Sequence, residues 1–307
     1  MTRVSLMLEY FHPWPNSAGF YFARERGWYA DVGIDLEVRL FDRALGDTLE
    51  YLKRNEVHFG VFPSNRLLVR RERGEPLVGI AAVNHGGLET IQTIRRTGIR
   101  RPRDLERRRL ALGKTPRGVA MVHHLIRNDG GDPAQVELVE NYGREITVDD
   151  IAAGEIDATF GGYWAWDALF GALPESERIT WRIDQLGAPK YHSYLLGTQE
   201  ARLDASPDLV RRFLAATARG FQGAIAEPEA ALTAIERAIP YFPRPLLRRS
   251  LELVQATWTH QGAWGIQREE LLSNYSAWLE RQGILKRSAI WRSAICNDFL
   301  PQATVST

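Results

Sequence analysis

A loop rich in aromatic and polar side chains follows the first strand-like segment of the chain. It reads EYFHPWPNS over residues 9–17, and its two prolines restrict the backbone. Aromatic rings offer flat apolar faces, and the acidic, imidazole and amide groups can hydrogen-bond the rim of a planar molecule. We expect ligand contacts from Glu9, Tyr10, His12, Trp14 and Asn16. The alternative is an ordinary turn before a helix, with its aromatic rings packed inward.

Three further segments follow predicted strands in the same way and open a helix or loop. Free backbone N–H groups at a helix start favour polar or anionic ligand atoms, so Lys114 or Arg117 is expected to hold any anionic group. The GKT at 113–115 is not a nucleotide-binding P-loop, because Arg108 stands where that motif needs its first glycine. The candidates here are Ser64, Asn65, Lys114, Thr115, Arg117, Tyr163, Trp164 and Asp167. Ordinary helix capping is the alternative for each segment.

Three histidines are candidates for acid–base chemistry. His12 lies in the aromatic loop, His58 lies on a strand-like segment where a buried structural role is the simpler interpretation, and His192 is expected to face a ligand. The sequence has no serine-nucleophile, zinc-protease or dinucleotide motif. A single cysteine, Cys296, excludes an internal disulfide and a thiolate zinc cluster. We therefore predict no metal and no cofactor.

Composition narrows the class of protein. The chain has 307 residues with 39 basic and 38 acidic side chains. It therefore lacks the overall excess of basic residues that would indicate nucleic-acid binding. No apolar stretch reaches the length of a membrane span or a leader, so no direct membrane insertion is expected. As written, the chain is expected to be cytoplasmic, or extracytoplasmic if a leader segment was trimmed. The run Arg95–Arg109 holds eight arginines and is interpreted as a solvated surface, with an acidic partner as the alternative.

Strand and helix patterns alternate through the first two thirds of the chain. Ile34–Leu40 alternates apolar and polar residues as a half-buried strand does. Such alternation of strands and helices predicts an α/β fold with mostly parallel, doubly wound sheets. From residue 207 onward the pattern is almost entirely helical. We expect these helices to pack on the first of two lobes.

Several segments give the chain a resemblance to type II periplasmic-binding-protein folds of the thiamine-pyrimidine-precursor, sulfonate and taurine binding family. They are FARERGWY at 22–29, GIDLEV at 33–38, GEPL at 74–77, GEIDA at 154–158 and PDLVRRFL at 207–214. The resemblance implies two lobes joined by a two-strand hinge, a ligand cleft between them and an ABC-type permease as partner. Lobe 1 is then expected at 1–90 and 192–307, with lobe 2 at 91–191.

Two enzyme branches share this architecture. The pyrimidine synthase branch needs a lysine and a histidine around the third strand, near whose positions Phe62 and Asn65 stand here, and a cysteine-rich segment where 187–193 reads GAPKYHS. The sulfinate desulfinase branch has a Tyr-x-x-Cys-Pro-x-Pro-Asn loop that 10–16 resembles once one residue is skipped, with His12 replacing the cysteine. Its Val-His-Phe strand matches 57–59. An imidazole does not simply replace a thiolate nucleophile, which argues against desulfination.

The sequence thus favours a solute-binding protein for a small nitrogenous ligand, expected to be aromatic and similar to a thiamine pyrimidine precursor. The expected stacking residues are Tyr10, Trp14 and Trp164. The alternative is a cytosolic enzyme on the same fold, related to the desulfinase or the pyrimidine synthase. It would use His12 with His58 or His192 as acid and base.

Overall fold

The computed structural model describes residues 1–40 and 42–301, which form two compact units. Unit 1 comprises Met1–Gly86 and Tyr191–Thr307, and unit 2 comprises Gly87–Lys190. The chain therefore passes between the units twice, after residue 86 and after residue 190. The lobe boundaries expected from the resemblance stay a prediction.

Strands and helices alternate through much of the chain. The strands are β1 (Thr2–Leu8), β2 (Ile34–Leu40), β3 (Phe59–Pro63), β4 (Leu77–Ala82), β5 (Glu89–Ile94), β6 (Arg109–Leu112), β7 (Glu137–Glu140), β8 (Ala158–Tyr163), β9 (Arg178–Arg182), β10 (Tyr194–Gln199), β11 (Thr259–His260) and β12 (Ala263–Trp264). The helices are α1 (Ala18–Glu25), α2 (Trp28–Asp31), α3 (Thr48–Lys53), α4 (Ser64–Glu72), α5 (Pro116–Asn128), α6 (Val148–Ala153), α7 (Glu200–Ala205), α8 (Pro207–Ala226), α9 (Pro228–Ala238), α10 (Arg244–Val254), α11 (Glu269–Arg281) and α12 (Trp291–Ala294). Within the described ranges, no helix is long and apolar enough to cross a membrane.

The sheet of unit 1 has the strand order β2-β1-β3-β10-β4. Strand β1 pairs in parallel with β2 and β3, whereas β10 is antiparallel to both β3 and β4. Strand β4 is buried along its whole length, as expected for a strand covered on both faces. Strand β10 belongs to the part of unit 1 that follows unit 2, so the sheet is completed only after the chain returns.

The C-terminal helices pack on unit 1, and the contact between α1 and α8 shows how closely. A Cβ atom on Gly220 of α8 would lie 2.2 Å from the carbonyl oxygen of Gly19 on α1, so only glycine fits there. Phe221 of α8 meets Phe20 of α1 edge to face, with ring centroids 5.0 Å apart. The prediction that the helical part packs on the first lobe is confirmed.

Unit 2 has a second five-stranded sheet with the order β7-β6-β8-β5-β9. Strand β6 is parallel to β7 and β8, while β5 is antiparallel to β8 and β9. A cluster of buried aliphatic side chains from the sheet and α6 includes Ile94, Val148 and Ile151. Unit 2 thus has a hydrophobic core of its own.

Candidate functional site

Four loops meet at one edge of the unit 1 sheet. Strands β1, β3 and β4 end there, and the antiparallel strand β10 begins there. We call the loops 9–17, 63–66, 83–86 and 191–193 together the first edge. The carboxyl ends of parallel strands border the ligand crevice in open α/β sheets. The first edge therefore collects the expected residues of the aromatic loop, Ser64, Asn65 and His192 in one place.

The aromatic residues of the loop contact one another. Tyr10 stacks on Phe11 with ring centroids 4.8 Å apart, and it lies 5.9 Å from Trp14. Trp14 faces inward at 5% exposure and meets Tyr194 at 6.5 Å, whereas Phe11 is 48% exposed. A small cavity of about 10 Å³ beside Trp14 has room for about one water molecule. The loop thus presents the stacked pair Tyr10–Phe11 rather than Trp14.

A carboxylate and a guanidinium group are paired at the first edge. Glu9 Oε1 accepts a hydrogen bond of 2.6 Å from a guanidinium nitrogen of Arg66, in the first turn of α4. Arg66 also lies 3.6 Å from a carboxylate oxygen of Asp47. The positive charge of Arg66 is therefore balanced by acidic side chains of the same unit.

His192 is held by hydrogen bonds on both ring nitrogens. Its Nδ1–H donates to the carbonyl of Asn84 at 3.0 Å, and its Nε2 accepts from the backbone N–H of Arg268 at 2.9 Å. Complete burial disfavours the imidazolium and lowers the pKa of His192 to about 4. The backbone carbonyl of His192 accepts from the Ser64 hydroxyl at 2.5 Å. His192 is thus a neutral residue that fixes the loop, and Ser64 helps to hold it.

The other two candidate histidines, His12 and His58, lie at different places along unit 1 and not beside each other. The Nδ1–H of His12 donates to the carbonyl of Pro13 at 2.6 Å, and the buried ring packs 5.1 Å from that of Phe242. His58 Nδ1 accepts from the backbone N–H of Ser5 at 3.1 Å, beside the middle of β1. Burial also lowers the pKa of His58. Since His12 follows the carboxyl end of β1, the two histidines are not brought together as an acid–base pair.

The two asparagines predicted to contact ligand have different surroundings. Asn16 is 4% exposed, and its amide bonds to the side chains of Asn84 and Trp258. Asn65, near the start of α4, is half-buried, and its side chain has no hydrogen-bond partner in the part of the chain that the structure describes. Asn16 therefore serves the fold, whereas Asn65 is available to a ligand.

Unit 2 has an equivalent edge. Strands β6, β8 and β9 end there and β5 begins there, because β5 is antiparallel to β8 and β9. We call residues 88–89, 113–118, 163–167 and 182 together the second edge. The register places Glu89 opposite Tyr163 and Thr90 opposite Arg182. Six of the candidate residues predicted from the sequence lie at this edge: Lys114, Thr115, Arg117, Tyr163, Trp164 and Asp167.

The second edge also carries a paired carboxylate and guanidinium group. Arg117 lies in the first turn of α5, is 8% exposed, and donates to Oε1 of Glu89. Thr115 caps α5 by accepting the backbone N–H of Gly118 at 3.1 Å. Lys114 is exposed, and its backbone N–H donates to Glu140 at 2.9 Å. The charge of Arg117 is thus balanced by Glu89, and Thr115 serves the helix.

Trp164 and Asp167 are fixed by their own loop. A carboxylate oxygen of Asp167 accepts the backbone N–H of Tyr163 at 3.0 Å. Trp164 is 6% exposed and donates its ring N–H to the carbonyl of Gly87 at 3.0 Å. The guanidinium of Arg182 covers one face of this ring at 3.9 Å from its centroid. Arg182 was not expected from the sequence, and it leaves Trp164 less open to stacking than Tyr163, which is half-buried.

His85, at the first edge, is another residue that the sequence did not indicate. Both of its ring nitrogens are buried and have no hydrogen-bond partner among the residues that the structure describes. Its ring lies 5.1 Å from that of His192 and 5.9 Å from that of His260. Burial is the main cause that lowers the pKa of His85 to about 3. Among the described residues, no group of three histidine, cysteine or acidic side chains could hold a metal ion.

Comparisons with known proteins give consistent results. The family model described as NMT1/THI5 like matches residues 14–231. The curated formylaminopyrimidine-binding protein of Halalkalibacterium halodurans is 21% identical over 301 residues, which cover 96% of this chain and 89% of that protein.

Solved structures resemble the chain over nearly its whole length. The alkanesulfonate-binding protein SsuA from Xanthomonas axonopodis pv. citri, bound to MOPS, superposes with a TM-score of 0.71 at 12% identity, covering 96% of this chain and 98% of that one. The desulfurization enzyme DSZB superposes with a TM-score of 0.68 at 14% identity, covering 97% of each chain. These likenesses show the two-lobed periplasmic-binding-protein fold, and the fold prediction is confirmed.

Proposed function

The chain belongs to the NMT1/THI5-like family, and from this membership we propose that it is a solute-binding protein for a small, uncharged, nitrogen-containing aromatic ligand. A substituted pyrimidine of the thiamine-precursor type fits this description. The curated relative named as a formylaminopyrimidine-binding protein supports the proposal over nearly the full length of both chains.

The observation that carries the choice of ligand is that the arginine in the first helical turn at each edge is paired with a carboxylate, whereas Lys114 at the second edge is exposed. Arg66 is paired with Glu9 at the first edge, and Arg117 is paired with Glu89 at the second edge. A sulfonate carries a full negative charge in water and needs an unbalanced cation when it is buried. A pyrimidine needs hydrogen-bond donors and acceptors instead, and carboxylate–guanidinium pairs offer both.

The proposed roles of the individual residues follow from their exposure. Tyr10 at the first edge and Tyr163 at the second edge are half-buried, and we assign stacking to them. Asn65 is assigned a hydrogen bond to the ligand through its side-chain amide. The expectation that two lobes close on one ligand stays a prediction, and variants at each edge test it separately.

Binding rather than catalysis is proposed because His58 and His192, the two histidines that could partner His12 in an acid–base pair, are engaged elsewhere. His58 accepts a hydrogen bond from Ser5 within the sheet, and both nitrogens of His192 are bonded to backbone groups. A general base must reach the proton that it removes, and neither histidine has a free nitrogen acceptor for this.

An ABC-type permease remains the proposed partner, on the family resemblance alone.

Isothermal titration calorimetry with purified protein tests the proposal. A formylaminopyrimidine and a hydroxymethylpyrimidine form one set of ligands, and MOPS and taurine form the other. We expect saturable one-to-one binding of at least one pyrimidine and none of the sulfonates at the same concentration. The pyrimidine recovered after prolonged incubation, analysed by mass spectrometry, should be unchanged. Binding of a sulfonate without binding of a pyrimidine, or conversion of the bound pyrimidine, would overturn the proposal.

A further inference from the structure

The edge of the unit 2 sheet opposite the second edge carries a groove lined by arginines. Strand β5 ends at this edge and β6 begins there, so the arginine-rich run between Ile94 and Leu110 covers it. The groove has a volume of about 430 Å³, which lies within the range of small-molecule sites. Its lining residues are Gly98, Arg103, Asp104, Glu106, Arg107 and Arg108.

The guanidinium groups in this groove form no direct ion pair with the residues that the structure describes. Elsewhere in the same run, Arg101 pairs with Asp129 and Arg109 pairs with Asp157. No hydrogen bond or ion pair within 4 Å joins the guanidinium groups of Arg103, Arg107 and Arg108 to any residue in 1–40 or 42–301. Three cationic groups therefore line one groove without a direct ion pair to a described residue, while the carboxylates of Asp129 and Asp157 interact with Arg103 and Arg108 at longer range.

The two acidic residues of the groove do not form ion pairs with these arginines. Asp104 accepts the backbone N–H of Arg100 at 2.9 Å, and Glu106 accepts the backbone N–H of Asp132 at 2.7 Å. Each carboxylate thus stabilises a turn of the groove wall. The lining keeps one net positive charge, and the guanidinium donors keep their hydrogen-bonding capacity.

The backbone at Arg107 is held in a conformation that arginine rarely adopts. Its φ angle is +60°, in the left-handed region that costs a residue with a Cβ atom about 1–2 kcal/mol. The backbone N–H of Arg107 donates to the carbonyl of Gln135 at 2.7 Å, and that of Arg108 donates to the carbonyl of Leu105 at 3.0 Å. These bonds fix the backbone of the turn, so the positions from which the side chains of Arg107 and Arg108 extend are defined.

We propose that this groove binds a water-soluble compound with a phosphate or diphosphate group. Guanidinium groups match phosphate oxygens with paired hydrogen bonds, and several of them together suit an anion of more than one charge. The lining contains no apolar side chain, which favours a soluble phosphate compound over a phospholipid headgroup. The site lies at the other end of the sheet from the proposed solute site, so the two proposals stand independently.

Titration with inorganic pyrophosphate tests this inference on the full chain. We compare the parent protein with the double variant R103A/R107A, which removes two arginines of the groove. The control is R96A/R100A, which removes two arginines of the same run that do not line the groove and changes the net charge equally. Calorimetry at about 50 mM salt should show binding that weakens about tenfold or more in R103A/R107A and less than about threefold in the control.

Further readouts separate the proposal from its alternatives. R107G keeps the left-handed turn because glycine tolerates it, and this variant should also bind pyrophosphate more weakly while its thermal unfolding temperature stays the same or rises. Equal weakening in both double variants would show unspecific charge attraction and overturn the proposal. Sedimentation with phosphatidylglycerol vesicles, without any binding of pyrophosphate, would also overturn it. Pyrimidine binding should be the same in all these variants, so failure of either proposal is seen separately.

Discussion

The side-chain amides of Asn16 and Asn84 are joined by two reciprocal hydrogen bonds. Asn16 Nδ2 donates to Asn84 Oδ1 at 3.0 Å, and Asn84 Nδ2 donates to Asn16 Oδ1 at 2.8 Å. Trp258 donates its ring N–H to the same oxygen of Asn16 at 2.9 Å, and the hydroxyl of Thr257 accepts from Asn84 at 2.7 Å. The pair therefore ties the aromatic loop to the loop after β4 and to the C-terminal helical part of unit 1.

Replacing Asn16 with alanine should destabilise unit 1 strongly. The substitution leaves the Trp258 N–H and the Asn84 amide buried without their partner, and such orphaned groups cost about 1–3 kcal/mol each. We expect N16A to lower the free energy of unfolding by about 2–4 kcal/mol, measured by urea denaturation followed by tryptophan fluorescence.

The matched control is N65A, because Asn65 is half-buried and has no described hydrogen-bond partner. It should change the free energy of unfolding by less than about 0.5 kcal/mol and weaken pyrimidine binding up to about tenfold. The opposite pattern, with a stable N16A that no longer binds ligand, would place Asn16 in the ligand site instead.

Removing the carboxylate of Glu89 should change the preference of the protein among ligands. In E89Q, Arg117 keeps its charge at 8% exposure but loses the negative charge of Glu89, and removing one member of a buried ion pair is costly. A sulfonate can supply the missing negative charge. We therefore expect MOPS or taurine to raise the thermal unfolding temperature of E89Q but not that of the parent protein.

The control for this experiment is E155Q, which removes an exposed carboxylate that pairs with Arg144 away from the second edge. It should show neither destabilisation nor a response to sulfonates. If E89Q gains no sulfonate affinity, the charge-balance argument for an uncharged ligand is wrong.

Acid should destabilise unit 1 below the ordinary pKa range of histidine. The pKa of His85 is lowered to about 3 and that of His192 to about 4, mainly by burial. Because the unfolded chain takes up these protons near pH 6.5, the stabilisation is complete above pH 6.5 and is lost progressively as the pH falls toward 4. Between pH 7 and pH 5 the loss should approach about 2 kcal/mol for each histidine, measured by urea denaturation.

The variant H85F isolates one of the two contributions. Neither ring nitrogen of His85 has a hydrogen-bond partner within residues 1–40 and 42–301, so an apolar ring removes two unsatisfied groups and leaves no partner there without its bond. The loss of stability between pH 7 and pH 5 should shrink by about 2 kcal/mol in this variant. An unchanged pH dependence would show that His85 does not titrate as described.

Local patterns predicted much of this molecule. Strand β2 has the predicted bounds because the alternation in IDLEVRL is carried by seven adjacent residues. The aromatic loop lies at a sheet edge as predicted, since a strand must deliver the chain to its carboxyl end before the next helix. The helices after residue 207 also follow from local periodicity.

Contacts between distant segments could not be predicted in this way. The antiparallel place of β10 beside β3 depends on a strand that returns after all of unit 2, and no local pattern encodes that pairing. The same holds for Arg182 over Trp164 and for the bond between Asn84 and His192. These contacts decide which of the candidate side chains remain open to a ligand, so the sequence could name the candidates without ranking them.

Stacking by Tyr10 is the most direct test of the first edge. The ring of Tyr10 lies 4.8 Å from that of Phe11 and 5.9 Å from that of Trp14, and its loss should cost the ligand an aromatic contact of about 1 kcal/mol or more. Calorimetry should therefore show pyrimidine binding weakened about fivefold to tenfold in Y10A. The control Y241A removes an aromatic ring of the same unit that is 64% exposed, and its affinity should not change. Y10F keeps the ring and should bind within about twofold of the parent protein, because stacking does not need the hydroxyl group. Equal losses in Y10F and Y10A would assign the interaction to the hydroxyl and rule out stacking.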